Sequence, residues 1–336
     1  MKILFVLSIL FLVACSSNHS VQTLESKNFN GDVFQFKSKN IDKSFTDLLK
    51  WKIFGKSTPW PESIPVKQVK IDKKRVSNET HITFINHSTF LIQNKGINIL
   101  TDPIWSDRAS PFSFMGPKRV RKPAVKLNDL PPIDIVLIGH NHYDHLDIET
   151  LVKLNEAHSP TFIVGLGVEK LLNENGIENV ISLDWHQTVT RDEIVYRFVP
   201  CQHWSARGLF DRNKTLWGSF IIEADKRIYF ASDTGYADHF QKQYKAYGKM
   251  DVSLLPIGAY EPRWFMKEQH LNPRESVMAH LDLKSKLTIG MHFGTFKLTD
   301  EGINKPTEEL EAALTEFGIK KNEFIAPFFG QKFRIR

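Results

Sequence analysis

Four side chains able to bind a metal, His140, His142, Asp144 and His145, fall within the six residues His140-Asn-His-Tyr-Asp-His145. No other stretch constrains the fold as strongly. It follows the apolar run Ile133-Asp-Ile-Val-Leu-Ile-Gly139, which reads as a buried strand. A helix opens near Asp147, so the local order is strand, ligand turn, helix. Neutral imidazole and carboxylate suit zinc and similar divalent ions. Crowding these titratable groups costs free energy unless a cation sits among them, and a plain turn needs no three histidines.

Further donors follow other strands. His203 comes after 194–200, Asp233 after 227–231, and His292 after 286–291. His270 lies in the loop after a strand at 251–256. Strand ends that deliver His or Asp from distant parts of a chain assemble a site along one edge of a sandwich or barrel. Taken singly, each is also explained as a satisfied core histidine or an ordinary turn carboxylate. Cys201 shares a strand face with His203. It reads as a packed small hydrophobe, with a ligand role as the alternative.

The remaining pattern mixes strands and helices. Strands are expected at 81–86, 90–93, 97–101, 133–139, 161–164, 179–183, 194–199, 217–223, 227–231, 251–256, 286–291 and 323–327. Helices are expected at 44–54, 147–157, 237–247, 272–281 and 306–317. In the fourth helix Asn272 caps and Pro273 takes the first turn. The long irregular loop at 102–122 is rich in Arg and Lys and has the length of a functional segment.

With 336 residues, 41% of them hydrophobic, the chain can bury a sizeable core. Its formal charge of +6 suits an anionic surface or substrate. It has no zinc-finger spacing and no basic helix for DNA, so no nucleic-acid partner is expected. The amino end, Met1-Lys2 followed by a short apolar stretch, reads as a secretory signal too short to span a bilayer. Leu12-Val-Ala-Cys15 resembles a bacterial lipobox. That implies cleavage before Cys15 and a lipid on its sulfur. Ser16 resembles the pattern for outer-membrane sorting. The expectation is an exported protein held to the cell-envelope membrane by a lipid anchor at Cys15. Cys201 is then left without an intrachain partner, and stability rests on the core and on metal.

His-x-His-x-Asp-His, followed by a later His, an Asp and a final His, resembles the signature of the metallo-β-lactamase superfamily. Thr101-Asp-Pro-Ile, Met115-Gly-Pro-Lys-Arg, Gln202-His-Trp, Leu216-Trp-Gly-Ser, Ser232-Asp-Thr-Gly-Tyr and Pro256-Ile-Gly-Ala-Tyr-Glu-Pro-Arg-Trp-Phe-Met-Lys look like one branch. That branch is the N-acyl-phosphatidylethanolamine-hydrolysing phospholipase D family, and the similarity covers roughly 80–330. It implies an α/β (α+β) fold, the four-layer αββα sandwich, with two zinc ions at its edge. On that resemblance His140, His142 and His203 hold one ion, Asp144, His145 and His292 hold the other, and Asp233 bridges them. A hydroxide shared by the ions would attack the phosphodiester, releasing phosphatidic acid and an N-acylethanolamine. His270 is the candidate for polarising the phosphate or protonating the leaving oxygen, and Tyr143 for touching the phospholipid substrate. Asp147 would cap its helix or orient a ligand imidazole.

The implied organisation is a signal peptide at 1–14, a tether at 15–30, an N-terminal extension at 31–78 that caps the body or faces lipid, and a hydrolase domain at 79–336. A homodimer is implied as well. The branch has a Gln where Ser113 stands between Phe112 and Phe114, so no substrate contact is assigned there. The alternatives are a lactonase or other ester/amide hydrolase on the same fold, and a non-catalytic metal-binding envelope lipoprotein.

Overall fold

The computed structural model describes residues 26–36 and 43–335. The signal peptide, Cys15 and most of the tether lie outside the described residues. In chain order the elements begin with α1 (Phe45–Phe54), β1 (Thr80–Asn86), β2 (Thr89–Asn94), β3 (Ile97–Thr101) and β4 (Ile135–Leu137). Then come α2 (Ile148–His158), β5 (Thr161–Gly165), α3 (Val168–Asn173), β6 (Val180–Leu183), β7 (Thr188–Arg191) and β8 (Ile194–Val199). The second half holds β9 (Ser219–Glu223), β10 (Arg227–Phe230), α4 (His239–Tyr247), β11 (Val252–Pro256), α5 (Arg263–Met266) and α6 (Pro273–Asp282). It closes with β12 (Leu287–Met291), α7 (Lys305–Phe317), β13 (Phe324–Ile325) and β14 (Lys332–Ile335).

Among the described residues these strands form two seven-stranded sheets, β14-β1-β2-β3-β4-β5-β6 and β13-β12-β11-β10-β9-β8-β7. Period-two alternation divides the side chains of the first sheet between two cores. Ile82, Phe84, Phe90, Ile92, Ile99 and Leu137 face the second sheet. Ile85, Leu91, Leu100 and Val136 face outward, under Leu151 and Leu154 of α2 and Val168 and Leu172 of α3. On the far side, Val277 of α6 and Leu310 and Leu314 of α7 pack into the core with Leu254 and Ile289 of the second sheet. The result is the expected αββα order. Fully burying a side chain such as Phe220 contributes roughly 1.5–3 kcal/mol, so the alternation fixes which face of each strand turns inward.

Several expectations need correction. The strand expected at 133–139 pairs only over Ile135–Leu137, because the chain then peels off into the ligand turn. β7, β14, α3 and α5 were not anticipated. Residues 28 and 34 are bonded to the body: Asn28 Nδ2 donates to Asp184, and Phe34 N to the Asn213 carbonyl. Two arginines of the 102–122 loop brace it against the body. Arg119 is 5% exposed and donates to the carbonyls of Ser106 and Ile104, and Arg121 donates to Gly294 O. No helix among the described residues is long and apolar enough to cross a membrane.

Candidate metal centre

Each donor sits where a strand ends on the edge shared by the two sheets. β4 hands the chain to the turn carrying His140, His142, Asp144 and His145. β8, β10 and β12 of the other sheet lead to His203, Asp233 and His292. Parallel pairing of β10, β11 and β12 brings their carboxyl ends level, so Asp233 and His292 emerge side by side. Gly258 follows β11, and a Cβ there would collide with the His292 carbonyl. This glycine is required by close backbone approach, not by an unusual turn dihedral.

Two groups form. His140 Nε2 and His203 Nε2 lie 2.9 and 3.3 Å from His142 Nδ1. His145 Nε2 and His292 Nε2 lie 3.1 Å apart and 3.3 and 3.2 Å from Asp144 Oδ2. Asp233 Oδ2 stands between the groups, 3.1 Å from the Nε2 of both His145 and His292 and 3.9 Å from those of His140 and His203. Its Oδ1 is buried with no hydrogen-bond partner.

The outer ring atoms are fixed. His145 Nδ1 donates to Asp102 Oδ2 (2.6 Å), and Ser232 Oγ donates to the same oxygen while contacting His140 Nδ1. His203 Nδ1 donates to the Gln269 carbonyl. With Nδ1 engaged, Nε2 of His140, His145 and His203 faces the centre. His87, Asp102, Ser232, Ala259 and His292 all hold positive φ, so local backbone strain concentrates here.

The electrostatics favour cations. Burial pushes the Asp233 and Asp144 carboxyls up, but the charge of His145, joined at Asp233 by that of His292, outweighs it and holds both well below the carboxylate range. Burial lowers His145 and His292, yet Asp233 and Asp144 lift His145 well above its usual value and His292 to about 9. Burial alone dominates at His142, lowered to about 3, and at His140 and His203, both well below normal. Neutral imidazole nitrogens facing one another at these distances repel through their lone pairs. A cation between them removes the conflict, and Zn–N bonds of about 2.0–2.1 Å in tetrahedral geometry give N–N separations of about 3.3 Å. The donor set therefore fits two divalent ions, with two imidazolium protons displaced on binding.

Two residues beside the ligands, Tyr143 and Asp147, engage partners away from the centre. Tyr143 does not face the centre: its hydroxyl donates to the Arg207 carbonyl, its ring lies 3.9 Å under the Arg207 guanidinium, and it lines a neighbouring cavity with Trp105 and Phe112. Asp147 neither caps α2 through its side chain nor touches a ligand imidazole. It accepts from Trp105 N, Ser106 N and Thr150 Oγ1, pinning the 102–122 loop. The carboxylate that orients a ligand is Asp102. Cys201 is buried, as expected for a packed side chain, with Sγ donating to the Asp233 carbonyl. His270 does join the centre, with Nδ1 3.8 Å from Asp233 Oδ2.

His87 was missed. It follows β1, where the β1–β2 register shifts between Phe84 and Asn86, and its Nε2 lies 3.0 Å from Asp144 Oδ2. Burial and the neighbouring His292 hold it neutral, at about 3. A neutral Nε2–H donating to Asp144 Oδ2 fixes the carboxylate oxygen that faces His145 and His292. His87→Ala is expected to weaken the ion beside Asp144 by about 10–100-fold and leave the other site unchanged, as read by competition with a chromophoric chelator.

A sequence profile described as the Beta-lactamase superfamily domain matches residues 97–293. The chain belongs to the metallo-β-lactamase superfamily. Within the superfamily it is 38% identical over 280 residues to an uncharacterized protein of Mycobacterium tuberculosis, covering 81% of this chain and 74% of that one. It is 35% identical over 283 residues to N-acyl-phosphatidylethanolamine-hydrolyzing phospholipase D 1 of Caenorhabditis elegans, covering 80% of each. The metallo hydrolase Igni18 of Ignicoccus hospitalis superposes with a TM-score of 0.58 at 20% identity, over 77% of this chain and 99% of that one, which shows the shared fold. The protein is a metal-dependent hydrolase of the superfamily.

Proposed function

We propose that this hydrolase uses two zinc ions to cleave the phosphodiester of an N-acyl-phosphatidylethanolamine-type lipid, giving phosphatidic acid and an N-acylethanolamine. The observation that carries this reading is the cavity of about 410 Å³ over the metal centre. Its floor holds His142, Asp144, Asp233 and His270, and its wall holds Leu48, Trp51, Phe265, Met266 and Leu298. A polar reacting end joined to an apolar body matches that division. The nematode relative's name supports the same reaction class.

His140, His142 and His203 would hold one ion, Asp144, His145 and His292 the other, with Asp233 shared. Bound there, the ions would supply an activated water and neutralise charge growing on the phosphoryl oxygens. Burial lowers His270 to about 4, despite Asp233 nearby. Near neutral pH it is an uncharged hydrogen-bond donor to a phosphoryl oxygen rather than a stored acid. In the overall reaction water adds to phosphorus, the bond to the acylated ethanolamine oxygen breaks, and that oxygen gains a proton.

The wall owes much to the N-terminal segment. Ser44 and Asp47 form a capping box that starts α1, and Trp51 packs on Phe265 with Nε1 donating to Asp300. Phe54 is 75% exposed, so this segment both walls the cavity and offers apolar surface outward. Anchoring through a lipid on Cys15 would place the cavity near its substrate.

Zinc-loaded protein is expected to convert N-acyl-phosphatidylethanolamine in mixed micelles to both products, followed by mass spectrometry, and His142→Ala protein is expected to form neither. A protein holding two ions that yields no product would sink this substrate and favour lactones or other esters.

A further inference from the structure

We propose that Arg207 is a positioning residue that clamps the ligand turn to the segment carrying His203, so that the donors of both metal sites keep one geometry. The clamp concerns the metal centre alone and stands whichever ester or phosphodiester is hydrolysed.

The ligand turn is closed from inside by the N–H groups of His145 and Leu146, which both donate to the His142 carbonyl. Its two ends are held from outside by one nitrogen. Arg207 Nη1 donates to Asn141 O at 2.9 Å and to Leu146 O at 2.8 Å. Those two carbonyls bracket His142, Asp144 and His145. Each terminal nitrogen of a guanidinium carries two hydrogens in a fixed plane, so a single group can span the turn. The turn returns the contact. The Tyr143 hydroxyl donates to the Arg207 carbonyl, and its ring lies 3.9 Å under the guanidinium. Stacking fixes the plane of the cation and leaves its N–H edge for the carbonyls.

Arg207 is itself anchored. The Asp211 carboxylate accepts from the N–H groups of Arg207 and Gly208. Asn213 N donates to the Ser205 carbonyl, and Ser205 N donates back to Asn213 Oδ1. Arg207 follows His203 by four residues, and the Nδ1 of that histidine donates to Gln269 O. The two clamped segments come from different sheets: the turn leaves β4 of the first, and residues 203–213 leave β8 of the second. His140 and His142 need His203 from across that junction to complete one donor group. Metal–ligand distances tolerate only about 0.2 Å of error, so a turn free to shift against residues 203–213 binds its ions poorly. His87 touches Asp144 alone and so bears on one site. Arg207 holds the whole turn, which supplies donors to both.

The test uses the full chain and needs no substrate. Affinity for zinc is read by competition with a chromophoric chelator, and ligand geometry by the visible bands of cobalt-loaded protein, with far-ultraviolet circular dichroism as the control for folding. Arg207→Ala is expected to weaken both ions by about 10–100-fold and to alter the cobalt bands. Millimolar guanidinium chloride is expected to restore both readings, whereas sodium chloride at the same ionic strength does not. Arg207→Lys keeps the charge but stops about one bond short of the carbonyls, and is expected to weaken both ions about tenfold. A folded alanine protein with unchanged affinity and unchanged bands overturns the clamp and leaves Arg207 as a brace of its own loop. Loss at one site alone, or loss that guanidinium leaves in place, also overturns it. If the alanine protein does not fold, the lysine protein decides: weakening at both sites with altered bands upholds the clamp, and unchanged values remove it. Because no lipid enters these measurements, a failure of the phosphodiester reading is seen separately, as absent product from a protein that holds both ions.

Discussion

Replacing Asp233 by asparagine is expected to lower hydrolysis on the order of 1,000-fold or more, equivalent to about 4 kcal/mol of barrier, without unfolding the protein. The oxygen at stake is Oδ2, which faces His145 and His292 at 3.1 Å and His140 and His203 at 3.9 Å. Asparagine keeps the volume and an acceptor oxygen, so packing after β10 survives. It removes the negative charge that lifts both His145 and His292. One oxygen that serves two donor groups has no substitute nearby, since Asp144 reaches only one group and Asp102 is turned to Nδ1 of His145. Metal content should fall from two ions to one or fewer. Elemental analysis and rate measurement on the same sample check this, with far-ultraviolet circular dichroism as the control for folding. An asparagine protein that keeps two ions and full rate would remove Asp233 from the bridging position.

Stripped of metal, the protein is expected to be most stable near pH 6.5 and to lose stability on both sides. His292 is raised to about 9 and His145 well above its usual value. A raised histidine gives its full stabilisation below the unfolded value of about 6.5 and loses it as pH climbs through the folded one. On the acid side His87 and His142, at about 3, and His270, at about 4, resist protonation while the unfolded chain accepts protons from 6.5 downward. The depressed carboxyls of Asp144 and Asp233 add to that loss as they finally protonate. Between pH 6.5 and 9 the melting temperature of chelated protein should drop by roughly 5–10 °C. Restoring metal displaces the two protons, so the alkaline limb should flatten. Differential scanning fluorimetry with and without chelator measures both curves, and a flat chelated curve above pH 6.5 would mean that His145 and His292 carry no protons.

The ligand turn, the three later donors and the strands that deliver them were legible because the sequence clusters them and because alternation marks the strands. What was hidden shares a cause. His87 looks like any turn histidine in Ile85-Asn-His-Ser-Thr, and only the register shift after Phe84 and its φ of 46° aim it at Asp144. Asp102 likewise turns at a φ of 33° to reach His145 across 43 positions. Such contacts depend on backbone dihedrals at strand ends, which local composition does not encode. β7 escaped notice because three of its four residues are exposed and polar, the composition of a protected edge rather than of a core strand. The side chains of Tyr143 and Asp147 turn away from the centre because adjacency to a ligand in sequence does not set side-chain direction on a tight turn.

β14 pairs antiparallel with β1, and the Gly330 and Gln331 backbone closes onto Phe84. The first sheet is therefore finished by residues synthesised long after the rest of it. Until 332–335 emerge, β1 is an open edge with unpaired backbone groups, and the hairpin that carries His87 is held from one side only. Ribosome-bound chains should be protease-sensitive across both halves, and trimming the last strand should loosen the far end of the polypeptide before it touches anything nearby in sequence. A purification tag is accordingly better placed away from that carboxyl strand.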